Sequence, residues 1–176
     1  ALKLTVLAAL PAGVGLSVLA GPILHLLYPA VPETAEAAAY HLTFLGLACV
    51  FVCLMVATNG VLQAYGHPLL PVISLLCGGV LKIVTNYLMV GDPATGIRGA
   101  AVSTLYCYAL IAVINLAAIA RLVPERPGYI SLFAKPVLLT AVMALAARSG
   151  YGVFCRLLPE SWAVLPAVLL AAVVYV

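Results

Sequence analysis

Charge is the scarcest thing in this sequence: Asp, Glu, Lys and Arg make up only 7% of its 176 residues. A soluble domain carries about 25% charged residues, so there is too little polar material here to cover a water-facing surface. With 66% hydrophobic residues and a mean hydropathy of +1.24, a soluble globular protein is excluded and a membrane protein is what remains. Eight basic and five acidic residues leave a net charge of +3, too scattered for a nucleic-acid patch or a charged disordered tail. The acids Glu33, Glu36, Asp92, Glu125 and Glu160 all stand between or at the edges of the apolar stretches, so no carboxylate is offered at membrane depth to relay protons or attract an organic cation.

Other absences narrow the function further. There is no paired carboxylate, no Ser, His and Asp constellation and no Gly-rich loop of phosphate-binding spacing, so an enzyme is not expected, nor a cofactor. His25, His41 and His67 are isolated at the ends of apolar stretches, which argues against a metal site. The five cysteines, Cys49, Cys53, Cys77, Cys107 and Cys155, lie in apolar runs without a CxxC pair and read as buried small hydrophobes.

What is present is a succession of long apolar stretches. A helix needs roughly 20 mostly apolar residues to cross about 30 Å of hydrocarbon, and six candidates occur: about residues 4–27, 40–63, 70–90, 99–120, 132–154 and 162–176. The expected fold is therefore all-α, a polytopic membrane helix bundle. The connections AYGHP and GDPATGIR are short enough to make neighbouring spans antiparallel. YPAVPETAE reads as an acidic loop before the second span. The long connection RLVPERPGYISLFAKP holds Arg121, Arg126 and Lys135 against Glu125, and the positive-inside rule places it in the cytoplasm. The chain opens without an initiator Met and stops inside an apolar run, and reads as a piece of a longer membrane protein.

Polar residues inside the spans are the candidate functional groups. Lys82 stands near the middle of the third span with no acid in the same helix, Asn86 one turn further on, and Gly78 and Gly79 one turn before. A charge at that depth costs about 2.5 kcal/mol or more, so Lys82 either faces a water-filled cavity, offering positive charge to an anionic substrate, or pairs with a carboxylate or helix-end carbonyls elsewhere. Asn59 and Gln63 share a face at the end of the second span, either lining a hydrophilic pathway or hydrogen-bonding a neighbouring helix. Ser103, Thr104, Tyr108 and Asn115 in the fourth span read as helix-packing groups. In the first span Pro11 is followed by Gly13, Ser17 and Gly21 at four-residue spacing and then by Pro22. This is the pattern of a kinked, closely packed helix, or of a transporter hinge at Pro11 and Gly13.

Residues 59–108, NGVLQAYGHPLLPVISLLCGGVLKIVTNYLMVGDPATGIRGAAVSTLYCY, carry three features in order: the LQAYGHPLLP turn, the Lys82, Asn86 and Tyr87 cluster, and the GIRGAAVST opening of the next helix. With AALPAGVGLSVLAGPILHLLYP ahead of them, they resemble the polysaccharide and peptidoglycan-precursor flippases of the multidrug/oligosaccharidyl-lipid/polysaccharide exporter superfamily, most closely the stage V sporulation protein B type. The resemblance implies a two-lobe, alternating-access transporter of the bacterial plasma membrane that carries a lipid-linked glycan, anionic through its pyrophosphate. Residues 1–121 then correspond to the last four helices of the C-terminal lobe, and residues 122–176 to a cytoplasmic loop and two additional helices. The partners it implies are the glycolipid, the bilayer and an N-terminal lobe of the same chain. The candidate cavity residues are Lys82, Asn86, Asn59 and Gln63. The alternatives are a multidrug or organic-cation antiporter of the same superfamily, which calls for acids rather than Lys82, and a non-transporting membrane scaffold.

Overall fold

The computed structural model describes residues 2–91, 96–122, 129–157 and 160–175. These form seven helices and no strand: α1 (Leu2–Val18), α2 (Ala20–Leu27), α3 (Pro32–Ala64), α4 (Leu69–Val90), α5 (Arg98–Leu122), α6 (Tyr129–Leu157) and α7 (Glu160–Tyr175). By length and composition α3, α4 and α5 can each cross a membrane, as can α1 and α2 taken together as one bent span. Where the fifth and sixth spans were expected the chain is helical, as α6 and α7, but among the described residues neither is long and apolar enough to count as a span: α7 holds only a shorter apolar stretch, Val164–Val173.

The first expected span is two helices because it bends by 65° at Leu19. Pro22 explains the position: a proline removes the bond to the carbonyl four residues back, here that of Val18, and its ring presses on that carbonyl. The bend thus falls at Leu19 rather than at the expected hinge residues Pro11 and Gly13, both of which lie inside α1. Gly13 instead makes room. A Cβ there would stand 2.5 Å from Val50 Cγ2 and 2.6 Å from the Gly46 carbonyl, and one on Gly46 would stand 2.9 Å from Ser17 N. Thr43 Oγ1, which donates to its own helix at Ala39 O (2.9 Å), also reaches Ser17 O at 3.4 Å.

Residues 32–36 are helical, not loop, so α3 starts well before the expected Tyr40. Pro32 at the first helical position and acids at 33 and 36 suit a helix N-terminus. At the other end, Gly66 has φ +80, His67 N–H donates to Leu62 O (2.9 Å) and Gly66 N–H to Gln63 O (3.0 Å). That is a Schellman termination, with glycine at the left-handed position and Pro68 preventing the helix from resuming. Similarly, α6 begins at Tyr129, so Lys135 and Pro136 lie in a helix rather than in the long loop. Residues 92–95 and 123–128, which include Asp92, Glu125 and Arg126 and bear on the expected orientation, lie outside the described residues.

The helices do not pack simply in chain order. Although the AYGHP turn joins α3 to α4, both pack lengthwise on α5, which lies between them, and touch each other only slightly. On its other side α3 packs on α1 and α2, which contact the α6–α7 pair. The core follows this layering, with Val6, Val50, Leu54 and Ala112 joining α1, α3 and α5. A second cluster of Leu19, Met143, Ala147 and Ala171 joins the α1–α2 bend to α6 and α7. Many large apolar side chains face outward, as at Leu4, Leu76, Ile83 and Val173, the inverse of a soluble protein and the pattern lipid contact calls for. The cysteines depart from the buried reading: all are free, only Cys107 is buried, and Cys49 and Cys77 lie on exposed faces.

Candidate functional site

The polar residues of the spans converge on α5 from both sides. Helix α4 meets it through a ridge at four-residue spacing, Gly78, Lys82 and Asn86. At Gly78 the backbone comes so close that a Cβ would stand 2.4 Å from Ile111 Cγ1 and 3.3 Å from Cys107 Sγ. One turn on, Lys82 is half-buried, with its Nζ 6.0 Å from the centroid of the Tyr108 ring. That is the outer limit of a cation–π contact, so the ammonium keeps its three N–H donors for other partners. One more turn brings Asn86 Oδ1 to accept a hydrogen bond from Ser103 Oγ at 2.7 Å, and Ser103 is fully buried. Asn86 also borders an open depression with Tyr87, Leu88, Val90 and Gly91 at the end of α4.

On the α3 side, Asn115 is 1% exposed and Thr58 0%. Asn115 Nδ2 donates to Thr58 Oγ1 (3.0 Å) and to Asn59 Oδ1 (2.7 Å), while Thr58 Oγ1 donates to the carbonyls of Leu54 (2.7 Å) and Met55 (3.0 Å). Asn115 Oδ1 is buried and has no hydrogen-bond partner. Of the four expected cavity residues, Lys82 and Asn86 therefore stand together against α5, Asn59 is drawn into the α3–α5 contact, and Gln63 is exposed one turn further along α3. The arrangement pins α3 and α5 together by amide hydrogen bonds and leaves Lys82 as a cation between α4 and α5.

A third polar contact escaped the reading of the sequence. The segment leading into α5 docks on α3: the Arg98 guanidinium lies 5.1 Å from the Tyr40 ring centroid, and His41 reaches Ile97 O through Nε2 (3.3 Å) and Ala37 O through Nδ1 (2.9 Å). The signal was an aromatic–His pair at the start of α3 and an arginine at the start of α5, but nothing local links them across 56 residues. No group of three or more metal-ligating side chains occurs among the described residues.

No curated protein and no solved structure matches this chain. The MatE family model, by contrast, matches residues 1–88 of the 176, which is α1, α2, α3 and α4 as far as Leu88 and so includes the bent pair, the AYGHP turn and Lys82, Asn86 and Tyr87. Its members are transporters and not enzymes, in keeping with an all-helical, apolar-faced bundle. The chain belongs to the MatE family of membrane transporters, in the superfamily of flippases and exporters.

Proposed function

We propose that the protein moves an anionic lipid-linked oligosaccharide or cell-wall precursor across the bacterial plasma membrane by alternating access, as a flippase of the stage V sporulation protein B type. The observation that carries this reading is Lys82: a half-buried cation within α4, in a chain whose five acids all lie at helix ends or in connections. An ammonium held only loosely by the Tyr108 ring offers charge and donors to a pyrophosphate, whereas an organic cation would meet repulsion. The broken α1–α2 helix supports a transporter that rearranges, since discontinuous helices are a common element of transport cycles. The remaining wall of the pathway would come from an N-terminal lobe of the same chain, and the substrate must contact the occluded state more strongly than either open state to drive the cycle.

The test uses the full-length protein in liposomes, following a labelled lipid-linked oligosaccharide between leaflets for wild type, Lys82→Ala and Lys82→Arg. Translocation lost in the alanine variant and retained at least partly in the arginine variant is the expected result. Exchange of organic cations without movement of glycolipid would replace this reading by an antiporter. Glycolipid movement indifferent to Lys82→Ala would remove Lys82 from the pathway.

A further inference from the structure

Pro11 poses a problem that the fold solves from a distance. Proline has no N–H, so the carbonyl four residues before it, that of Leu7, loses its helical donor. In hydrocarbon an unsatisfied carbonyl costs several kcal/mol, because no water can replace the bond. Helix α1 nevertheless continues through Pro11 without a break. The Tyr175 hydroxyl, in the last turn of α7, donates to Leu7 O at 2.6 Å, across 168 residues of sequence. The donor thus supplies to α1 the one bond that Pro11 withholds.

The surroundings leave α1 room to move once that bond opens. A largely apolar groove of about 460 Å³ runs between α1, α6 and α7, and both Pro11 and Tyr175 line it, together with Gly15, Leu19, Met143 and Val168. The groove gives that face of α1 open space, while another face of its N-terminal half is held by Val6, buried against Val50, Leu54 and Ala112. Tyr175 packs on the cluster of Leu19, Met143, Ala147 and Ala171, residues of α6, α7 and the α1–α2 bend and none of the N-terminal half of α1, so its hydroxyl is positioned by groups that a swing of that half leaves in place.

We propose that α7 is a latch on α1: with the Tyr175 hydroxyl on Leu7 O the helix is held through Pro11, and undocking of α7 frees a second hinge there, one turn pair before the fixed bend at Leu19. Tyr175 is then a positioning residue that sets how far the N-terminal half of α1 can swing during transport, whatever the substrate.

A double-mutant cycle tests it in the full-length protein. Pro11→Ala restores an N–H at position 11 that can take Leu7 O within the helix, so the latch becomes redundant. Spin labels at the outward positions Leu4 and Leu45 report the N-terminal half of α1 against α3, and labels at Leu16 and Leu45 report the half beyond Pro11. Tyr175→Phe is expected to broaden the Leu4–Leu45 distance distribution, to leave Leu16–Leu45 unchanged, and to have no effect on either in the Pro11→Ala background. Equal broadening in both backgrounds, or none in either, overturns the proposal. Should Tyr175→Phe alone fail to fold, recovery of folding when it is combined with Pro11→Ala supports the latch, and failure of both overturns it. None of these readouts involves glycolipid movement, so they stand apart from the fate of the substrate assignment.

Discussion

The α1–α3 crossing allows a quantitative test of the close approach that holds the bundle together. Gly13→Ala puts a Cβ 2.6 Å from the Gly46 carbonyl and 2.5 Å from Val50 Cγ2. The valine methyl can rotate away, but the carbonyl is backbone of α3, so the two helices must separate by most of an ångström to reach ordinary contact. Replacing glycine by alanine inside a helix is worth about 0.5–1 kcal/mol in its favour. Overpacking a tight contact costs about 1–3 kcal/mol, so the expected net is a destabilisation of about 1 kcal/mol or somewhat more, together with weakening of the 3.4 Å bond from Thr43 to Ser17 O. Gly60 and Gly79 are the controls: both are helical and a Cβ at either meets nothing within 4 Å, so alanine there is expected to be neutral or stabilising. Thermal unfolding of the four purified proteins in one detergent, followed by the helical circular dichroism signal, makes the comparison. If Gly13→Ala unfolds at the same temperature as Gly60→Ala, the inferred contact between α1 and α3 is wrong.

Three further outcomes are expected. Gly78→Ala should push α4 from α5, since its Cβ would stand 2.4 Å from Ile111 Cγ1, and Ile111→Ala in the same protein should recover part of the lost thermal stability, whereas independent additive losses would refute the contact. Asn115→Ala removes two interhelical hydrogen bonds, expected to cost about 1 kcal/mol in detergent unfolding; Asn59→Ala in the Asn115→Ala background should then add almost nothing, and full additivity would show that the two amides do not interact. Pro22→Ala restores a donor for the Val18 carbonyl, so spin labels at Leu4 and Leu27 should move apart as the 65° bend opens; an unchanged distance would place the cause of the bend elsewhere.

Much of this protein was decided within short stretches of chain. Apolar runs of twenty or so residues specify helices in a membrane because only internally hydrogen-bonded backbone is tolerated there, so the class and most helix limits were legible. The AYGHP turn was legible too, because glycine at a left-handed position followed by proline ends a helix by local sterics alone. Residues 28–31 form the expected connection, but 32–36 were misjudged because their acids read as loop composition, whereas proline at the first turn and acids after it also start a helix. Lys82, Asn59 and Asn115 announced by their chemistry that they need partners, but a polar group in a span carries no record of which helix will answer it. That was settled by the tertiary structure, which inserts α5 between α3 and α4 and so gives Asn59 to Asn115, Asn86 to Ser103 and Lys82 to the Tyr108 ring. The two prolines of the first span show the same division. Each deletes a local hydrogen bond, which the sequence alone makes certain; yet α1 continues through Pro11, where Tyr175 arrives from α7 to cap the freed carbonyl, and bends one turn before Pro22, because whether a missing bond becomes a kink depends on what packs against it.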